Sequence, residues 1–296
     1  KNDYYRIKLG DLIELIINMY SILLMDQFYT KMEIAEQCWN TLKTKVNLDD
    51  FNWFIEPSAG TGSFYKLLPI HKRRGIDIDP KFPGVMQMDY LTLDMSGLYQ
   101  DGVDKYLVIG NPPFGKISSL AVKFFNKSAE YADIIAFIVP RTFKRVSIQN
   151  RLNLNFHLIY NIDLPMRPCC FEPKMGAKCC FQIWKKKNVK RDIIEYPKTH
   201  ADFEFLKYGP KDDDGQPTPP EGADFALKAY GSNCGKIVVE DLDALRPKSW
   251  HFIKSNIDVI LLKKRFYLMD YSISKDTVRQ DSLGQKELIY LYSQKY

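Results

Sequence analysis

The chain has 296 residues, 45% of them hydrophobic and 26% charged. That composition excludes wholesale disorder, collagen and coiled coil, and the length allows one large domain with a smaller partner. Net charge is +6, from 42 basic and 36 acidic residues, which permits a polyanionic partner without demanding one. The six cysteines form no CxxC and include the vicinal pairs Cys169–Cys170 and Cys179–Cys180. We therefore expect neither a disulfide scaffold nor a zinc or other metal site, and a reduced, intracellular setting, cytoplasmic or nucleoid-associated.

The most apolar stretch, residues 9–25, carries Leu12, Leu15, Ile16, Met19 and Leu23 at helical spacing. Asp11, Glu14 and Asn18 interrupt it, so it reads as a packed helix and not as a membrane span. The chain opens on Lys1 and not on Met, as a trimmed chain would, and no signal-peptide pattern is visible. A second helix is expected over residues 31–45, with Thr30 as N-cap and Glu33 completing a capping box. Short apolar strands follow at 51–55, 74–78, 85–88, 106–109 and 134–139, with helices near 63–68 and 118–131. Strands separated by helices imply crossover connections and a largely parallel, doubly wound α/β sheet. Ligands of such sheets bind at the carboxyl ends of the strands. Residues 207–221, with four prolines and a three-aspartate run, read as a loop. The expected division is a domain over 1–196, a linker over 197–222 and a small C-terminal α+β recognition region over 223–296.

Four clusters fall at strand ends. Glu56-Pro57-Ser58-Ala59-Gly60-Thr61-Gly62 has glycines that allow close backbone approach. Tyr65 stands where a dinucleotide fingerprint needs its third glycine, and the leading carboxylate suits an ammonium-bearing ligand better than a pyrophosphate. A plain strand-to-helix turn is the competing reading. Asp77, in Gly75-Ile76-Asp77-Ile78-Asp79-Pro80, lies 17 residues past Gly60 and can accept both hydrogen bonds of a ribose diol, while Asp79 before Pro80 suits a helix cap. Asp89 can accept from an adenine amine, with Tyr90 or Ile78 covering the ring; equally, Asp89 reads as a turn aspartate.

The fourth cluster is Gly110-Asn111-Pro112-Pro113-Phe114. Asn-Pro-Pro-aromatic arises by chance in well under about 1% of chains this long. The prolines fix φ and leave local carbonyls unpaired. The Asn111 side-chain oxygen and the Pro112 carbonyl can then accept both hydrogens of a planar NH2 group, and Phe114 can stack on the ring that bears it.

The order Phe28-Tyr29-Thr30, EPSAGTG, GIDIDP, MDYL, GNPPF resembles the S-adenosylmethionine-dependent N6-adenine methyltransferases, in the gamma arrangement of restriction-modification enzymes. The resemblance spans roughly residues 10–190 and implies a Rossmann-like class I methyltransferase fold with a late antiparallel hairpin at 179–184. It implies that S-adenosylmethionine is held by Thr30, Glu56, Ala59, Gly60, Gly62, Asp77, Ile78, Asp89 and Tyr90, with Phe124 or Phe125 as a further wall. Asn111, Pro112, Pro113 and Phe114 would be catalytic, and Phe171 would close an aromatic sandwich on the extruded base. Arg141, Lys144 and Arg145 would track the nucleic-acid backbone, and residues 185–191 offer a second basic set. None of the four histidines falls in these clusters. The motif order favours DNA over RNA as substrate; RNA adenine and protein glutamine are the alternatives that share this pocket chemistry. A non-catalytic nucleic-acid recognition subunit is the competing class, disfavoured by the intact tetrapeptide and glycine loop. The small C-terminal region leaves room for an additional recognition subunit or domain.

Overall fold

The computed structural model describes residues 27–94 and 104–296, so the helix expected over residues 9–25 lies outside the described part. The chain separates into two compact units. The first comprises residues up to Pro140 together with Asn150–Arg191; the second comprises Arg141–Gln149 and Asp192–Tyr296.

The first unit is built on a seven-stranded sheet of β2 (Trp53–Glu56), β3 (Arg73–Asp77), β4 (Val85–Gln87), β5 (Tyr106–Gly110), β6 (Ile134–Pro140), β7 (Phe156–Asp163) and β9 (Cys179–Lys186). Their order is β4-β3-β2-β5-β6-β9-β7. The strands from β4 to β6 run parallel, and β9 lies antiparallel between β6 and β7. The sequence explains this arrangement. Every residue of β5 (YLVIG) and β6 (IIAFIVP) is buried, as central strands covered on both faces require. Each Leu or Ile so buried contributes roughly 1.5–3 kcal/mol. On β9 the buried polar residue is Gln182; it donates to Asn161 Oδ1 at 3.1 Å and accepts from Trp184 Nε1 at 3.0 Å. The Rossmann-like α/β sheet with a late antiparallel strand is thus the architecture expected from the sequence.

Helix α1 (Met32–Lys45) begins one residue later than expected, and its N-cap is Lys31, with no side-chain cap. Thr30 is extended instead, because β1 (Tyr29–Thr30) pairs antiparallel with β8 (Phe171–Glu172), Thr30 facing Phe171. The capping box is therefore absent. The helix expected over 63–68 shrinks to a single 3-10 turn at Tyr65–Leu67; Pro69 biases Leu68 towards extended backbone and stops it. Asp79 caps no helix and pairs with Lys81 at 2.7 Å. Helix α2 (Ser119–Ser128) is the helix expected after β5, three residues shorter at its C-terminal end, and buries Ala121, Val122, Phe124 and Phe125.

The second unit holds a four-stranded antiparallel sheet, β10 (Phe203–Phe205), β13 (Trp250–Ser255), β11 (Phe225–Lys228) and β12 (Ile237–Val238). The short helix α3 (Val146–Gln149) and helices α4 (Val259–Tyr267) and α5 (Gln285–Ser293) complete it. One sheet face packs Phe203, Phe225, Phe266 and Tyr292 together, with ring centroids 5.1 Å apart for Phe203 and Phe266 and 5.4 Å for Phe225 and Phe266. The other face carries Ala226, Trp250 and Phe252. The division expected at 196 and 222 is corrected. The 197–222 segment contains β10, whose Phe-Glu-Phe alternation belongs to this sheet, and residues 141–149 fold with the second unit.

Those residues also correct the expected phosphate track. The Arg145 guanidinium donates to the carbonyls of Asp276 (2.7 Å), Ile273 (3.2 Å) and Ser282 (2.6 Å) and to Glu287 Oε2 (3.1 Å). Glu287 also accepts from the Gly284 N–H at the start of α5. Lys144 pairs with Asp276 at 3.2 Å. These cations hold the second unit together, and Arg141 lies half-buried in the same segment. Of the second basic set, Arg191 lies over the Trp184 ring and donates to the Phe156 carbonyl at 2.6 Å. No helix among the described residues is long and apolar enough to cross a membrane.

Candidate active site

The order of the sheet reverses between β2 and β5, and the carboxyl ends of these two strands and of β3 open on one cavity of about 350 Å³. That is the size and position expected of a small-molecule site in a doubly wound sheet.

The loop after β2 is shaped by its glycines. Gly60 sits at φ +47°, and a Cβ there would lie 2.7 Å from the Tyr29 ring. Gly62, at φ +79°, would press on Phe82 in the same way. Ala59 donates to the Ile76 carbonyl at 3.0 Å, tying the loop to β3. The Gly60 N–H donates to Asp77 Oδ2 at 2.7 Å, and the Asp79 N–H to Asp77 Oδ1 at 2.8 Å. Asp77 is thereby fixed at the cavity wall, and each oxygen keeps a second lone pair.

Ile78 lies beside it on the wall, 58% exposed. Asp89 accepts from Leu91 N–H at 2.9 Å and caps the turn Tyr90–Thr92, so the turn-aspartate reading also holds. The Tyr90 ring borders the cavity but is buried, stacked on Phe124 at 5.3 Å, with its hydroxyl bonded to Ser128 and Tyr131. Burial pushes that hydroxyl's pKa up. Phe124 lines the cavity; Phe125 packs edge-on to Phe156 and Trp184 instead.

From β5 come Asn111, Pro112, Pro113 and Phe114, all on the cavity wall. Asn111 Nδ2 donates to the Phe28 carbonyl at 2.9 Å. A carbonyl accepts only from the nitrogen, so the amide cannot turn over, and its oxygen must face the other way. That oxygen, Oδ1, is buried and has no partner. Ser58 Oγ donates to the Asn111 backbone carbonyl at 3.0 Å, joining the β2 loop to this motif.

Thr30, Glu56, Ala59 and Gly62 lie behind the wall and not on it. Thr30 Oγ1 and Glu56 Oε2 are also buried without partners. Desolvation pushes the Glu56 pKa well above the usual carboxylate value; the negative charge of Asp77 adds to this, and hydrogen bonds from the backbone of Tyr65 and Phe64 oppose it. Buried polar groups in folded proteins nearly always have partners. Of the three orphaned atoms, Asn111 Oδ1 belongs to a wall residue and marks a place for a ligand's donor, while those of Thr30 and Glu56 sit behind the wall.

Phe171 needs correction. It is 2% exposed, its backbone is paired with Thr30, and it does not reach the cavity. The side chain that this loop brings to the wall is Met175. Phe28 and Tyr29 also line the cavity, although within that triplet the sequence pointed to Thr30. Met88, Leu91 and Leu120 complete the apolar wall, with no sequence signal beyond their hydrophobicity. Arg141, Lys144 and Arg145 do not line it.

Among the described residues, the charged side chains on the wall are Asp77 and Asp89, and no Lys, Arg or His lines the cavity. A wall rich in acceptors and carboxylates disfavours phosphate and suits a ligand with hydroxyl, amine or cationic groups. No cluster of His, Cys, Asp or Glu among the described residues could hold a metal ion.

No family model and no curated protein matches the chain. Among solved structures, it is similar to a candidate RNA methyltransferase from Pyrococcus horikoshii, with 19% identity over 54% of this chain and 88% of the other and a TM-score of 0.37. It is also similar to a candidate class I S-adenosylmethionine-dependent methyltransferase from Listeria monocytogenes, with 17% identity, coverage of 58% and 64%, and a TM-score of 0.38. The 23S rRNA methyltransferase ErmE matches at 15% identity, with coverage of 57% and 72% and a TM-score of 0.39.

Proposed function

We propose that the chain is an S-adenosylmethionine-dependent methyltransferase acting on the exocyclic N6 amine of adenine in DNA, with the base drawn out of its stack. The observation that carries this reading is Asn111. Its amide is pinned by nitrogen to the Phe28 carbonyl, so a buried, unpartnered oxygen waits beside the Pro112-Pro113-Phe114 turn.

The residues present fit the cofactor. Asp77 offers two anchored acceptor oxygens to a ribose diol, and Ile78 and Phe124 offer apolar surface to an adenine ring, with Asp89 at its amine edge. The orphaned groups of Glu56 and Thr30, just behind the wall, would meet the ammonium of the amino-acid portion, and the loop of Ala59, Gly60 and Gly62 would shape its approach. The buried Glu56 carboxyl ionises most readily when a cation approaches it. When bound, the cofactor supplies a methyl group on a cationic sulfur, which leaves as a neutral thioether.

Asn111 Oδ1 and the Pro112 carbonyl accept the two amine hydrogens. This draws the nitrogen out of conjugation and turns its lone pair towards the methyl carbon. Phe114 stacks on the base, and Met175 offers a polarizable wall nearby. The apolar residues around them keep water out and hold the attack in line. After attack the surplus proton stays on the amine nitrogen, hydrogen-bonded to Asn111 Oδ1, until it passes to solvent. No histidine on the wall competes for that role. The second unit is the proposed substrate-recognition region.

The test is transfer of tritiated methyl groups from S-adenosylmethionine, with unmethylated DNA, mixed RNA and a glutamine-bearing release factor offered in parallel. The expected product is N6-methyladenine in DNA. Label in RNA or protein would move the substrate class, and no label in any of them would refute the reading.

A further inference from the structure

The turn that follows Phe114 is strained in a way that its packing does not explain. Gly115 sits at φ +66°, Ile117 at +52° and Ser118 at +55°. Left-handed backbone is an outlier for a β-branched residue, and strain of this kind persists where function needs the conformation. Neighbouring backbone holds the turn in shape: the Phe114 carbonyl accepts from Leu120 and Ala121 N–H, Gly115 O accepts from Ser118 N–H, and Arg151 donates to the Ile117 carbonyl. A Cβ at Gly115 would lie 2.7 Å from Leu120, so the glycine is required there. The result is a fixed apolar side chain held out into solvent. Ile117 is 72% exposed, while Ser118 beneath it is buried. Burial therefore does not offset the strain at Ile117. Asparagine or glycine would suit its backbone better.

We propose that Ile117 is the wedge of this site: it enters the duplex stack where the target adenine leaves, and so holds the base in the pocket formed by Asn111, Pro112 and Phe114. This rests on the function proposed above. Proteins that unstack DNA insert apolar side chains of this kind between base steps, and the gap left by an extruded base is the one apolar, aromatic-walled space a DNA substrate offers. Ile117 is three residues from Phe114 on the same hydrogen-bonded turn, and the exposed Lys116 beside it can meet the flanking phosphate.

The test compares unmethylated genomic DNA in native duplex form with the same DNA denatured to single strands, using the full chain. Ile117→Gly and Ile117→Asn relieve the backbone strain and remove the wedge, whereas Ile117→Met keeps an apolar side chain. We expect Gly and Asn to lower methyl transfer to duplex by about tenfold or more, to leave transfer to single strands within about twofold of wild type, and Met to retain duplex activity. Equal losses on both forms, or no loss on duplex, would overturn the proposal. Wild-type transfer to single strands alone would overturn it too, leaving the adenine site intact. Wild-type transfer to neither form would instead remove the functional reading on which it rests.

Discussion

Two clusters, the Arg145 network in the second unit and the strand-end groups in the first, treat buried polar groups in opposite ways. In the second, the Arg145 guanidinium meets three carbonyls and the Glu287 carboxylate, and Glu287 also secures the start of α5. In the first, Thr30 Oγ1, Glu56 Oε2 and Asn111 Oδ1 are buried at the strand ends with nothing to meet. A satisfied network is finished structure, whereas orphaned groups around a cavity are half of an interaction whose other half is a ligand. The contrast reassigns Lys144 and Arg145 to stability and leaves the chemistry with the acceptors of the first unit.

Substitutions on either side of this contrast should separate cleanly. The largest effect expected is on stability, from Arg145→Met. It strands a buried carboxylate and three carbonyls, and breaking a buried pair costs about 3–5 kcal/mol. Thermal melting should fall steeply, while S-adenosylmethionine affinity measured well below the melting temperature should hold.

Next is Asn111→Asp, which keeps an oxygen facing the cavity but must be protonated to donate to the Phe28 carbonyl. Its turnover should fall as pH rises through the introduced carboxyl's pKa, by roughly 10²–10³ once ionised, whereas wild type should show no such fall. A pH-rate profile of the two reads this directly. A flat profile would mean that Phe28 does not set the amide.

Glu56→Gln should show the trade between stability and function. Burial raises the folded pKa of Glu56 above its unfolded value, so the folded state holds the proton more tightly. Stability is then greatest below the unfolded pKa and declines as pH rises towards the folded one. The neutral amide removes this decline. Melting curves at pH 5 and pH 8 should converge in the variant, with the variant the more stable at pH 8, shifting by roughly 2–4 °C per kcal/mol. The same change should weaken S-adenosylmethionine binding, because the anion that meets its ammonium is gone. Weaker binding without the gain at pH 8 would argue that Glu56 is already paired.

The smallest effect belongs to Ile78→Ala. Ile78 is 58% exposed, so its loss barely touches the fold and removes only apolar cover from a bound ring. A cofactor affinity loss of about 1–2 kcal/mol follows from the area removed, readable by calorimetry. An unchanged affinity would place the ring elsewhere.

Much of this site was legible because strand-end motifs are local. A glycine loop, an aspartate after the next strand and Asn-Pro-Pro-Phe after β5 meet wherever a parallel sheet brings their strands together. What was not legible depends on pairings across the chain. β1 joins β8 over some 140 residues, and that pairing turns Thr30 from a helix cap into a strand residue, buries Phe171 and leaves Met175 at the wall. Arg145 and Lys144 look like phosphate ligands until Ile273, Asp276 and Glu287 come to meet them. β10 was hidden in a segment that reads as linker because three residues of alternation beside a proline-rich loop are too short a signal. The strain at Ile117 has no sequence signature, since isoleucine is a poor residue for that backbone.

The central claim is that the unpartnered Asn111 oxygen receives the substrate amine while the cofactor is held elsewhere on the same wall. It is tested most directly by measuring methyl transfer to DNA and S-adenosylmethionine affinity side by side for wild type and Asn111→Ala. The account predicts a loss of turnover of roughly 10²–10³ or more with cofactor affinity within a few-fold of wild type. Retained turnover, or a loss of cofactor binding large enough to explain the lost activity, would contradict it.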